Sequence, residues 1–223
     1  MHWKDEGYLL SKSTYNENSI IISTFTLNHG KCSGIVYGGN SRKQKKNYQI
    51  GNKISLSCKS KGENRIGYFN IELVKPIAPL YFDDKKKSIC ILSSISILKI
   101  LLPERQINKK IYLSFEKLTN QFNYTDWIRL YILWELFIIQ ELGFGIDLSD
   151  FKHSRKLINN TIKINDKNFK IPKLLLERNN TNISKFDVKE ALIFNKNLLM
   201  ENLIIPNRLS FPKSRIILEK YYN

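Results

Sequence analysis

A break in periodicity near residue 80 constrains this chain of 223 residues more than any other feature. Before the break, short runs rich in Ile, Val, Tyr and Thr alternate with Gly and polar clusters. The spacing predicts strands over residues 8–13, 19–26, 31–37, 53–59 and 66–74. Five strands in about 75 residues suit a small closed barrel. Among small barrels the OB-fold is the common one that binds strands of nucleic acid. After Pro76 and Pro79 the period becomes helical, with helices expected over 89–102, 109–122, a segment after Thr125 that Gly143 stops, 187–204 and 212–222. The Asn-rich stretch 159–182 reads as short structure mixed with loop. The expected architecture is therefore α+β: a five-stranded OB-fold nucleic-acid-binding domain over residues 1–80 and a helical domain over 81–223.

Charge narrows the function. Lys and Arg number 36 against 20 acids, a formal charge of +16, and a polyanion is the natural partner of such a surface. Both parts are basic, with 12 bases against 5 acids in residues 1–80 and 24 against 15 in 81–223. The first part is basic in one place: residues 18–62 contain no Asp or Glu, yet hold Lys31, Arg42, Lys43, Lys45, Lys46, Lys53, Lys59 and Lys61. A merely solvated surface would mix both signs. Between two of the expected strands, Arg42, Lys43, Lys45 and Lys46 lie between Tyr37 and Tyr48, a combination of phosphate-neutralising charge and aromatic faces suited to a single strand.

Other chemistries find little support. Gly38-Gly39 lacks the Gly-Lys-Ser/Thr continuation of a phosphate loop, and His2, His29 and His153 stand far apart with no nucleophile beside them. Cys32, Cys58 and Cys90 are odd in number and widely spaced, which argues against both a disulfide framework and a zinc ribbon. Asp83-Asp84 reads more simply as a helix start than as part of a metal site. No catalytic residue, metal or cofactor is assigned. The N-terminus lacks the apolar core of a signal peptide and no apolar stretch reaches membrane-spanning length, so a cytoplasmic protein without membrane contact is expected. The Trp127, Trp134 and Phe137 positions recur at helical spacing and read as core.

Several motifs carry a resemblance. Trp3-x-Asp5-Glu6-Gly7-x-x-Leu10-Ser11, Glu17-x-Ser19, Thr26-x-x-His29-Gly30, Gly34-x-x-Tyr37-Gly38-Gly39-x-Ser41 and Gln49-x-Gly51-Asn52, followed by Glu141-Leu142-Gly143-Phe144-Gly145-Ile146-Asp147-Leu148, together resemble the RecO family of DNA repair proteins. The resemblance implies an N-terminal OB-fold and a helical second domain. It also implies a recombination mediator that binds single- and double-stranded DNA, anneals complementary strands, and assists RecA on DNA coated by the single-stranded-DNA-binding protein, in company with RecR and RecF. It suggests that the helical domain docks the acidic tail of the single-stranded-DNA-binding protein, with Arg129 as the candidate basic contact. Some relatives carry a four-cysteine zinc site after the Leu-Gly-Phe-Gly motif; residues 151–182 here contain no cysteine, so no zinc is expected. The alternative reading is an RNA-binding OB-fold protein of translation or RNA processing.

Overall fold

The computed structural model describes residues 2–41, 47–60, 62, 66–144, 161–164, 167–176 and 183–223. Five strands, β1 (His2–Thr14), β2 (Ser19–Thr26), β3 (Gly30–Tyr37), β4 (Lys53–Lys59) and β5 (Gly67–Lys75), close into a barrel in the order β1-β2-β3-β5-β4. All neighbours are antiparallel except β3 and β5, which run parallel and meet only at Gly34↔Gly67 and Ile35↔Tyr68. This is the OB-fold arrangement. Strand β1 begins six residues earlier than its sequence pattern suggested: Lys4 and Glu6 look like loop residues, yet they are the outward positions of an alternating strand whose inward partners are Trp3 and Asp5.

The barrel interior is filled by Leu9, Ile20, Ile22, Val36, Ile54, Leu56, Phe69 and Ile71, with Tyr48 packed among them. Interior polar groups are satisfied by backbone. Thr24 Oγ1 donates to the Cys32 carbonyl at 3.2 Å and Thr26 Oγ1 to that of Gly30 at 3.1 Å. Buried Asn52 accepts from the Ile77 and Ala78 amides at 2.9 and 3.2 Å, tying the segment after β5 back to the barrel. Gly34 is required because a Cβ there would lie 2.6 Å from the Phe69 ring.

The strands give way to helices near residue 80, but two helices remain with the barrel. Contacts divide the chain into compact units of residues 1–119 and 120–223. In the first, α1 (Lys85–Leu101) starts at Asp84, whose carboxylate accepts from the Lys86 and Lys87 amides. Helix α2 (Lys109–Asn120) covers the outside of β1 and β2: Tyr8 packs on Tyr112 and Phe115, and Phe25 on Tyr112, at ring separations of 4.8–5.6 Å. Strands covered on both faces bury consecutive residues, hence the unbroken run Tyr8-Leu9-Leu10. The segment between α1 and α2 runs beside β3, where Arg105 donates its amide to the Lys31 carbonyl at 2.7 Å. Gly30, at φ 68°, permits that approach, since a Cβ would meet the Gln106 carbonyl.

The second unit contains α3 (Trp127–Ile139), a two-stranded sheet of β6 (Thr161–Ile164) and β7 (Lys167–Lys170), a short α4 (Lys173–Leu176), α5 (Lys185–Leu199) and α6 (Lys213–Lys220). Asp126, not Thr125, occupies the N-cap of α3, without a side-chain cap bond; Gly143 ends the following turn at φ 90°. Ser184 and Asp187 form a reciprocal capping box on α5. Trp134 is buried as expected, whereas Trp127 and Phe137 are half-buried and the core also takes in Arg129 and Glu135. Glu135 and Arg215, both fully buried, are joined through Nε–Oε1 at 2.5 Å and Nη2–Oε2 at 3.2 Å. Tyr131 donates to Glu135, and Arg215 donates to the Leu192 carbonyl at 2.7 Å. Burial alone would work against the Arg215 charge; the Glu135 carboxylate outweighs it and holds the guanidinium protonated.

Candidate nucleic-acid interface

Cross-strand registers sort the outer face of β1, β4 and β5 into rows. At one level His2, Lys59 and Tyr68 stand side by side and exposed. Two residues along each strand the row is Lys4, Ser57 and Asn70, and two further it is Glu6, Ser55 and Glu72. The face is therefore polarised, basic and aromatic at one end and acidic at the other. The separation of four residues is about 13 Å, beyond the roughly 8 Å over which exposed charges act at physiological salt. The acidic row consequently does not cancel the potential around Lys59.

The basic end also carries a ready stacking surface. Tyr68 neighbours Ile35 across the short parallel pairing, and Tyr37, two residues further along β3, reaches it. The two phenol rings stack with centroids 5.0 Å apart and planes 14° from parallel. Tyr37 is 66% exposed and Tyr68 40%. The neighbouring Tyr68 hydroxyl holds that of Tyr37 above its ordinary acidity range, with Tyr15 contributing. Large aromatic side chains this exposed are costly to leave in water without a partner, and a paired, flat, accessible surface is what a base can stack upon.

The residues singled out in the sequence fall into distinct environments. Tyr37 and Lys59 lie on this surface. Arg42, Lys43, Lys45, Lys46 and Lys61 lie outside the described residues. Tyr48 is 4% exposed inside the barrel, so packing occupies its ring and it offers no face to a base. Lys31 is committed elsewhere: its ammonium donates to the Lys99 carbonyl at 3.0 Å and lies 3.6 Å from Glu104. Lys53 is clamped between Glu116 at 2.6 Å and Glu6 at 3.0 Å. Its partial burial disfavours the ammonium, but the two carboxylates prevail and raise it above the ordinary lysine value. These two lysines are thus neutralised locally. Arg129 is 7% exposed and donates to the Leu174 carbonyl at 3.4 Å inside the helical unit. Tyr68 was not singled out by its sequence context; its alternation with buried Phe69 on a strand that flanks basic residues was the available signal.

Beneath the same end of the barrel, Asp5 is nearly enclosed, and its carboxylate accepts from the Glu6 amide at 2.9 Å, the Asn28 amide at 2.8 Å and the Asn28 side chain at 3.1 Å, and pairs with His29 Nδ1 at 2.9 Å. Burial by itself would raise its pKa; the bonds from His29, Asn28 and Glu6 overcome this and leave it below the usual carboxylate value. Among the described residues no three His, Cys, Asp or Glu side chains gather as a metal set, and no helix is long and apolar enough to cross a membrane.

Comparison with known proteins agrees with this geometry. Residues 1–77 match the family model "Recombination protein O N terminal". The chain is 35% identical over 163 residues to the DNA repair protein RecO of Ehrlichia chaffeensis, covering 72% of this chain and 64% of that protein. It is 34% identical over 151 residues to that of Wolbachia pipientis from Culex pipiens, covering 67% and 62%. To that of Cereibacter sphaeroides it is 33% identical over 150 residues, again 67% and 62%. The matched segment thus spans less than two thirds of the relatives' own lengths. The barrel thus matches the N-terminal domain of the RecO family, and the chain's similarity to RecO proteins continues well past it.

Proposed function

We propose that this protein acts in DNA repair and recombination as a non-catalytic mediator that binds single- and double-stranded DNA on the outer face of its barrel and anneals complementary strands. The observation that carries the reading is the exposed Tyr37–Tyr68 stack beside Lys59 at the basic end of the outer face. Phosphates neutralised there, and by the basic segment that follows Tyr37 in the chain, no longer repel a second strand, so complementary bases can meet without any covalent step or bound cofactor. The family resemblance extends the proposal to assistance of RecA on DNA coated by the single-stranded-DNA-binding protein, together with RecR and RecF.

The test is annealing of complementary oligonucleotides by purified protein, with binding measured against salt and in competition with RNA of equal length. Replacing Arg42, Lys43, Lys45 and Lys46 together by Ala is expected to flatten the slope of log affinity against log salt by about two to three, at roughly 0.7 per phosphate neutralised on a single strand. Unchanged affinity and slope would move the DNA surface off the barrel, and preference for RNA would replace the repair reading with an RNA-binding one.

A further inference from the structure

The outward row that carries Tyr68 has an inward counterpart. Trp3, Cys58 and Phe69 pair across β1, β4 and β5 one residue away from His2, Lys59 and Tyr68, and they face the opposite side of the sheet. They line a cavity of about 610 Å³ that opens where β3 and β5 part company after only two paired residues, with Ser60 and Ile66 of the β4–β5 connection on its rim. That volume lies within the roughly 300–1,000 Å³ of small-molecule sites, and the lining has the usual mix of apolar wall and few polar groups.

The wall is flat and aromatic. Trp3 stacks on His29 with centroids 3.9 Å apart and planes 11° from parallel, and Phe69 meets Trp3 edge-on at 5.9 Å. The Asp5 carboxylate holds His29 Nδ1 at 2.9 Å, which fixes the ring and leaves Nε2 as its remaining polar atom. The hydroxyl of Ser33 and the oppositely charged side chains of Glu104 and Arg105 also line the cavity. Arg105 adopts the left-handed backbone conformation, φ 62°, rare for a residue with a side chain, and its charge is close enough to act on the Cys58 thiol. A planar heteroaromatic group with donors and acceptors on its edge is complementary to this lining: the ring lies against Trp3, its edge meets Ser33, His29 and Glu104, and an attached phosphate meets Arg105.

We infer that this cavity binds a nucleobase, turned out of the strand that the outer face holds. The inference rests on the reading of the barrel as a DNA-binding surface, and the two are joined by position. Ser60, next to Lys59, and Gly67, next to Tyr68, both line the cavity, so a strand held along the Lys59–Tyr68 row lies beside its lining. Holding one base apart from its neighbours keeps the strand open for pairing, which suits an annealing protein.

Fluorine NMR of the full chain labelled with 5-fluorotryptophan tests this, since only three tryptophans respond. The Trp3 resonance is assigned with Trp3→Phe, or by elimination with Trp127→Phe and Trp134→Phe. The expected result is a shift of the Trp3 signal on addition of a short oligodeoxyadenylate, and Ser33→Phe, which fills the cavity, should remove the shift and weaken the strand about fivefold or more. In the wild type, a strand carrying 5-iodouracil should photo-cross-link to the peptide holding Trp3. Deoxyadenosine monophosphate separates the sources: a Trp3 shift with the nucleotide but not the strand identifies a site for free nucleotides, and a shift with the strand identifies the extruded base. Fluorescence anisotropy read on the same samples separates the two claims. If the strand binds while Trp3 is silent to strand and nucleotide alike and cross-links fall only on other residues, the cavity assignment is overturned and the outer-face reading stands. If the strand does not bind at all, the outer-face reading itself has failed.

Discussion

The barrel unit and the helical unit handle charge in opposite ways. Residues 1–119 carry 20 bases against 9 acids and residues 120–223 carry 16 against 11, yet the helical unit is the one that buries a complete ion pair, Arg215 with Glu135. The barrel's fully buried polar side chains on its strands and strand ends, such as Thr24, Thr26 and Asn52, are neutral and bond to backbone. Strand geometry explains the contrast. Every second residue of a strand points outward, so a sheet can expel most of its charges and collect them in rows, with Asp5 the inward exception. Helix α3 is covered over most of its circumference, and a charge on it has nowhere to go but toward a partner. The lesson is that net charge alone does not locate a polyanion surface; what matters is which element lets its charges stay unpaired.

The sharpest way to break the comparison is Arg215→Ala. Removing one partner strands the Glu135 carboxylate in a dry interior, and the expected loss of folding stability is about 3–5 kcal/mol in denaturant unfolding. The double variant Arg215→Met with Glu135→Leu should regain most of it, since the pair is retained against its own desolvation. A loss below about 1 kcal/mol for Arg215→Ala would mean that water reaches the pair and that the two units differ less than their burial suggests.

Asp5 is the corresponding clamp in the barrel, and it is solved differently, by one carboxylate receiving several donors from the β2–β3 turn. Asp5→Asn should cost about 1–3 kcal/mol near neutrality, because it replaces a charged acceptor by a neutral amide facing several donors. Its folded pKa lies below the ordinary value of 3.8, so the carboxylate's contribution is fully present above that value and disappears as pH falls through the folded one. The gap between wild type and variant should therefore begin to narrow near pH 3.8 and close only below the folded pKa. A gap that persists at lower pH would assign the effect to shape, with charge playing no part.

At the binding surface the comparison turns to rings. Tyr68→Ala removes half of an exposed stack, so the expectation is a loss of about 1–3 kcal/mol in affinity for single-stranded DNA in anisotropy titrations, with folding stability nearly unchanged. Tyr48→Ala should do the reverse, costing about 3–5 kcal/mol of stability as a core truncation. If the two variants lost DNA affinity equally at matched folding, the outer stack would not be the contact.

Much of this was legible in the sequence, and the exceptions share a cause. The bounds of β2 and β4 coincide with the sequence expectation and those of β3 and β5 differ by a residue, since alternation and Gly punctuation are local properties. The change of period near residue 80 likewise marks where helices begin. Two helices nevertheless belong with the barrel, because the Tyr112 and Phe115 side chains that dock on Tyr8 are a tertiary fact that no window of sequence contains. The site divides in the same way. Tyr37 and Tyr48 are equivalent as letters flanking a basic run, but one is 66% exposed and the other 4%. Arg129 reads as a basic contact at the surface of its helix, whereas it is 7% exposed.

Lysines 53 and 59 give the smallest and most discriminating test of the comparison. They stand six residues apart, at the two ends of one strand, and sequence gives no reason to prefer either. Helix α2 decides between them, because it delivers Glu116 to Lys53 from 63 residues away, while Lys59 remains exposed beside Tyr68. A lysine already neutralised by two carboxylates releases no counterion when DNA arrives, whereas an exposed one does. Lys59→Ala should therefore flatten the log–log salt dependence of single-strand binding by about 0.7 and leave unfolding unchanged. Lys53→Ala should leave the slope where it is and lower stability by about 1 kcal/mol, leaving Glu6 and Glu116 to repel each other. A Lys53→Ala variant that flattened the slope as much as Lys59→Ala would show that DNA breaks the Glu116 clamp on binding, and the contact would then run the whole length of β4 to reach the acidic row.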